Sequence, residues 1–150
     1  MKHLFFSAFS LIFSFSALAQ KPEYDAELAK KLKADEYGMK KYVMVLLKNG
    51  AVKSLPKKQQ DSIFGGHMKN IQRLADEKKL MVAGPFERND FKYRGVFIFD
   101  SGSIEETKKL VATDPAIVAK LLDADYLVWY GSAAIMQVNE VHAKISQKSH

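Results

Sequence analysis

Gly95-Val96-Phe97-Ile98-Phe99 decides the fold of this chain. In an extended strand successive side chains point to opposite faces, so Val96 and Ile98 face one way while Phe97 and Phe99 face the other. Both faces are apolar. A sheet with helices on one side and water on the other alternates apolar with polar residues, and this strand does not. Tyr42-Val43-Met44-Val45-Leu46-Leu47 and Tyr126-Leu127-Val128-Trp129-Tyr130 are apolar on both sides in the same manner. Leu80-Met81-Val82-Ala83-Gly84-Pro85-Phe86 supplies a fourth strand, in which Pro85 marks an end, an edge or a bulge.

Helical periodicity fills the gaps between these strands. From Lys58 to Lys79, Ile63, Phe64, Ile71, Leu74 and Ala75 recur at three- and four-residue steps. Gly65-Gly66 interrupts this helix, at about 1 kcal/mol per Gly relative to Ala in an exposed position. The pair marks either a close approach of some other group to the helix backbone or an irregular first turn. Ser103-Ile104-Glu105-Glu106 is a capping box that opens a helix to Val111. Asp114-Pro115 then starts a further helical turn containing Ile117, Val118, Leu121 and Leu122, with Asp as N-cap and Pro at the first helical position. Asn89-Asp90 lies in the tip joining the second and third strands, which form a hairpin. A short helix is expected from Tyr24 to Lys33, and residues Asn139 to His150 read as a loosely held polar tail.

The order β-α-β-β-α-β is ferredoxin-like, in the α+β class. Something must cover the second apolar face of its sheet. The simplest cover is the same sheet from another copy, giving a two-fold homodimer with a barrel-like centre. The other candidates, the leading helix and the tail, are short and polar for that task.

The 150 residues, 47% apolar and 27% charged, fit one globular domain rather than a disordered or polytopic chain. There is no cysteine, so disulfides, thiolate metal sites and a cysteine nucleophile are excluded. The excess of 23 Lys and Arg over 17 Asp and Glu is almost all lysine, with Arg73, Arg88 and Arg94 the only arginines. A dispersed lysine surface lacks the guanidinium forks suited to phosphates and base edges, and no nucleic-acid partner is expected. Lys2 and His3 precede the apolar run Leu4 to Phe15, followed by Ala17-Leu18-Ala19. This pattern is a secretory signal peptide over residues 1–19, with an uncleaved anchor as the alternative. Cleavage would start the mature chain at Gln20, lower the formal charge from +6 to +5, and leave the protein periplasmic or extracellular, without a membrane segment.

His67 is the one histidine outside the signal, the tail and its approach, where His3, His142 and His150 lie. Four residues from both Ile63 and Ile71, it falls on the helix stripe that faces the sheet. There it is either a core side chain with a satisfied hydrogen bond or a group for proton transfer near neutral pH. Asp114 reads first as a helix cap, yet a capping carboxylate can still orient a histidine through its second oxygen. Gly84-Pro85 shapes the backbone or admits a ligand to the strand. Trp129 and Tyr130 belong to the core or an interface, or else to a cavity wall. No HExxH motif, paired histidines at helical spacing, phosphate loop or nucleophile elbow is present, so neither a metal nor a cofactor is expected.

These residues resemble the YCII-related (YciI-like) proteins. The likeness covers roughly Lys41 to Ile135. It rests on the strand Tyr42 to Leu47, on His67 followed by Ile71 and Leu74, on the Gly84-Pro85 strand, on Gly95 to Ile98, on Glu105 and Glu106 leading to Asp114-Pro115, and on Trp129. It divides the chain into the signal peptide 1–19, a leading helix and linker 20–40, a YCII-related domain 41–136 and a tail 137–150. The resemblance implies a dimeric α+β barrel and matches His67 and Asp114 to the family's proposed catalytic His-Asp pair. It implies general acid/base chemistry on a small organic substrate. The alternative is a non-catalytic dimer that binds a small ligand. One family member acts as a dehydrochlorinase on a chlorinated hydroxyquinol, and many have no assigned substrate. Export and the leading segment set this sequence apart, so a cytoplasmic role in aromatic degradation does not carry over.

Overall fold

The computed structural model describes residues 23–148. The signal peptide expected over residues 1–19 lies outside them. Among the described residues, no helix is long and apolar enough to cross a membrane.

Four antiparallel strands, β1 (Met39–Asn49), β2 (Leu80–Pro85), β3 (Tyr93–Phe99) and β4 (Leu122–Ser132), form one sheet in the order β2-β3-β1-β4. Helix α2 (Lys57–Asp76) connects β1 to β2, while α3 (Ile104–Val111) and α4 (Pro115–Val118) connect β3 to β4. This is the ferredoxin-like α+β arrangement expected from the sequence. A short helix, α1 (Ala26–Lys31), precedes β1, capped by the Asp25 carboxylate accepting from Leu28 N–H.

β1 and β4 run well beyond their apolar hearts, for a common reason. β1 is central, with β3 on one side and β4 on the other, so its flanks Met39 to Lys41 and Lys48 to Asn49 are held by backbone pairing whatever their side chains. Pairing from Met39↔Ser132 to Asn49↔Leu122 extends β4 equally far. Leu121 and Leu122, expected in the α4 turn, are not helical: α4 ends at Val118, and Lys120 takes a left-handed φ of 55° that reverses the chain into β4.

Helix α2 ends at Asp76, short of the expected Lys79, and Lys78 also adopts a left-handed φ of 55°. The Ser103 hydroxyl accepts from Glu106 N–H as a capping box requires. The Glu106 carboxylate, however, accepts from Gly102 N–H, one residue before the expected return contact.

The sheet packs apolar material on both faces, extensively on one and in part on the other. On one, Val43, Val45, Leu47, Phe97 and Phe99 pack with Leu74 of α2, Val111 of α3 and Ala116 of α4. Burying a side chain of this size contributes roughly 1.5–3 kcal/mol, so this layer dominates stability. On the other, Tyr42, Met81 and Ile98 pack against Trp129, Ile135 and Met136. Ile135 and Met136 belong to a 3₁₀ helix (Ala133–Gln137) that runs into α5 (Val138–Ile145). The expectation of a loosely held tail is therefore corrected. The segment after β4 folds back, with the Asn139 amide donating to Leu80 C=O at 2.8 Å and Ala133 N–H donating to Gly38 C=O. The polarity that suggested a tail belongs to the outer side of α5, where Glu140 and Lys144 form an i,i+4 pair.

Candidate active site

His67 lies in the third turn of α2, and the helix turns its ring toward the sheet as the stripe of Ile63, Phe64, Ile71 and Leu74 requires. The ring stands edge-on to Phe64 and stacks over Phe97 of β3, with centroids 5.9 and 6.1 Å away. Only 8% of the residue is exposed.

Asp114 reaches it from the short link between α3 and α4. Its carboxylate does both jobs anticipated for it. Oδ1 accepts from Ala116 N–H at 2.8 Å, capping α4, and Oδ2 accepts from His67 Nδ1 at 2.6 Å. The residue is 1% exposed, so this carboxylate has lost its water and depends on those donors. Neighbouring contacts fix the link itself. Asn70, buried on the same helix as His67, accepts through Oδ1 from Thr113 Oγ1 at 3.0 Å and from Arg73 at 2.8 Å. Thr113 thereby anchors the residue just before Asp114.

Gly66 explains how α2 and α4 approach so closely. A Cβ there would lie 3.0 Å from Pro115 Cγ, whereas one at Gly65 would meet nothing within 4 Å. The glycine pair in the helix marks a close contact, as one of its two readings held, and only the second glycine makes it. The contact is with Pro115, the residue after Asp114. Gly66-His67 and Asp114-Pro115 thus form one junction.

With Nδ1 committed to Asp114, the second ring nitrogen of His67, Nε2, is left for other partners. Among the described residues no buried side-chain polar atom lacks a partner, so Nε2 is not sealed in the core. His67 instead forms part of the wall of a cavity of about 540 Å³ between α2, β2 and α5. Phe64, Met68, Ile71, Leu80, Val82 and Phe97 make that wall mainly apolar. Gln72, Arg94, Asn139 and His142 add polar groups. An imidazole oriented by a buried carboxylate beside an apolar cavity is the arrangement for moving a proton to or from a bound organic molecule.

Gly84 and Pro85 line the cavity as well, and Gly84 has open space where its Cβ would stand. Trp129 and Tyr130 do not line it. Trp129 packs 5.9 Å from the Tyr42 ring on the other face of the sheet, and the Tyr130 hydroxyl donates to Asp35. His142 was missed because it stands in a polar stretch with weak apolar periodicity. The detectable signal was its position four residues after Val138, which puts both on one helix face. Among the described residues no group of three His, Asp or Glu side chains could hold a metal ion.

No protein-family model matches this chain, and no curated protein matches it. Among solved structures, a 5-chloro-2-hydroxyhydroquinone dehydrochlorinase (TftG) from Burkholderia phenoliruptrix AC1100, in complex with 2,5-dihydroxybenzoquinone, aligns at 23% identity. The alignment covers 59% of this chain and 90% of that one, with a TM-score of 0.38. At that level the likeness assigns neither a substrate nor a reaction to His67 and Asp114.

Proposed function

We propose that this protein is a small-molecule enzyme of the YCII-related kind in which His67 is the general base and acid and Asp114 its orienting partner. The observation that carries the reading is the 2.6 Å contact between His67 Nδ1 and Asp114 Oδ2 at the wall of an apolar cavity. The chemistry follows from charge. Asp114 holds the proton on Nδ1, so the Nε2 lone pair points away from it and accepts a proton from the substrate. The imidazolium so formed lies against a carboxylate that a helix cap keeps in place, and the proton is returned from Nε2 to another atom of the substrate or to its leaving group. Oriented general acid/base catalysis of this kind contributes about 10²–10⁴-fold in rate.

The protein acts, on this reading, as an exported homodimer. The amino-terminal sequence supports export. Leu127 of β4, 51% exposed and paired with Met44 on the face that holds Tyr42 and Ile98, supports a second copy there.

The test is a metabolite mixture incubated with the chain from Gln20 onward and followed by mass spectrometry. A compound consumed by the wild type and left intact by His67→Ala and Asp114→Asn is the expected result. Equal consumption by folded His67→Ala would overturn it. Compounds retained unchanged by both wild type and His67→Ala would instead favour the non-catalytic ligand-binding reading, which the mainly apolar cavity also accommodates.

A further inference from the structure

Helix α2 buries His67, Asn70 and Leu74, and the two polar residues among them point to the same place. His67 Nδ1 meets Asp114, and Asn70 Oδ1 meets Thr113, the residue before it. Gly66, one position earlier on the helix than His67, makes room for Pro115, the residue after Asp114. Three consecutive positions of the link between α3 and α4 are therefore engaged one by one, in reverse order, by residues 70, 67 and 66 of about one helical turn. The Asp114 carboxylate is held from both sides as well as by its own bonds.

Helix packing alone does not explain an asparagine at position 70. Asn is a weaker helix former than Leu, and an amide taken out of water costs free energy unless it is bonded. Asn70 is 8% exposed, and its Oδ1 accepts from Arg73 Nη2 at 2.8 Å and lies 3.0 Å from Thr113 Oγ1. Arg73 Nη2 also donates to Thr113 Oγ1 at 2.9 Å, so one guanidinium bridges both residues, while Nη1 is tethered to Glu77 at 2.8 Å. The Thr113 hydroxyl has one proton to share between Asn70 Oδ1 and Leu110 C=O, 2.7 Å away. The two Arg73 bonds keep the triangle closed whichever acceptor takes that proton. None of the three side chains lines the cavity beside His67. Their route to the chemistry runs through the place they give Asp114.

We propose that Asn70 is a positioning residue: clamped by Arg73, it holds Thr113 and thereby keeps the Asp114 carboxylate on Nδ1 of His67, which leaves the free lone pair on Nε2. This rests on the proposed function and deepens it. A ring released from Asp114 distributes its proton between the two nitrogens. The fraction that carries it on Nε2 has no lone pair there to take a proton from the substrate. Arg73 acts through Asn70 and Thr113 and touches no substrate.

Nitrogen-15 NMR of the His67 ring, in the chain from Gln20 onward and at a pH where the ring is neutral, tests this, because protonated and unprotonated imidazole nitrogens resonate far apart. The wild type should hold the Nδ1–H form in about tenfold excess or more. That excess should fall several-fold in Asn70→Ala and in Thr113→Val, fall by less in Arg73→Met, and survive in Thr113→Ser, which restores the hydroxyl. Circular dichroism should be unchanged throughout. Arg73 is half-exposed, so Arg73→Met and Thr113→Val carry the test should Asn70→Ala fail to fold. The rate at which any metabolite is consumed should fall in step with the Nδ1–H excess. A wild-type ratio in both Thr113→Val and Arg73→Met, or equal losses in Thr113→Ser and Thr113→Val, would overturn the assignment and leave the acid/base reading to its own test. Consumption that persists in folded His67→Ala, beside the expected tautomer shifts, would instead overturn the acid/base reading and retain Asn70 as the group that sets this ring.

Discussion

The two faces of the sheet are unequal, ten buried residues clustering on the α2 side and three on the other, and they do different things with what they bury. On the α2 side, a helix, a short helical link and a strand meet at one point. The polar pair placed there, His67 and Asp114, is buried and has every committed hydrogen bond satisfied locally. On the other side, a segment after β4 lays Ile135 and Met136 over Tyr42, Met81 and Ile98, and the polar contacts are peripheral to it. Lys40 there pairs with Asp100 at 2.6 Å, and the Tyr42 hydroxyl donates to Ser132 C=O at 3.0 Å. A buried polar pair is tolerated where two elements are locked together and can present it to a cavity. On the covered face the polar groups are retained for alignment, and apolar packing does the holding.

The sharpest way to break this contrast is at Asp114. Asp114→Ala removes the α4 cap and leaves the His67 Nδ1 donor without its partner, so it should destabilise by about 2–4 kcal/mol and abolish turnover. Urea unfolding measures the first effect, and a loss below about 1 kcal/mol would contradict the reading that one carboxylate serves both contacts.

Tyr42 sharpens the other face through pH. Burial, with Asp100 second, pushes its hydroxyl up from 10.0 to about 12. Because the folded chain holds the proton more tightly than the unfolded one, the contribution is fully present below pH 10. It is lost as pH rises toward 12, on the order of 2 kcal/mol in all. In Tyr42→Phe this portion of the alkaline stability loss should disappear. Identical alkaline unfolding curves for the two proteins would show that another group is responsible.

The glycine pair gives a smaller and more discriminating effect. Gly65→Ala enters open space and should stabilise by about 0.5–1 kcal/mol through helix propensity. Gly66→Ala presses on Pro115 and should forfeit that gain, with loss of activity through displacement of Asp114. Equal melting temperatures and activities in the two variants would remove the junction from the account. Smallest of all, Asp125→Ala, which leaves Lys48 on the surface with only its longer contact to Asp123, should change stability by no more than about 0.5 kcal/mol in a denaturant titration. A larger loss would mean that this rim pair contributes more than its exposure suggests.

Local pattern made much of this legible. Alternation broken by apolar residues on both sides of Val96 to Phe99 announced a sheet with two dry faces, and the stripe through Ile63, His67 and Ile71 aimed the imidazole at it. Asp114-Pro115 announced a cap. The strand ends at Met39 and Ser132 were not legible, because long pairing rather than side-chain character extends β1 and β4. The helix at Val138 to Ile145 was hidden by a polar outer side.

The amino-acid sequence by itself determined the order of elements, the face on which His67 lies and the spare oxygen of Asp114, since each depends on periodicity or capping within a few residues. Only the tertiary structure decided that His67 and Asp114 meet across 47 positions of sequence, that Pro115 fills the space Gly66 leaves, and that His142 joins the same cavity. These are distances between segments set by packing, and nothing within one segment encodes which neighbour will arrive.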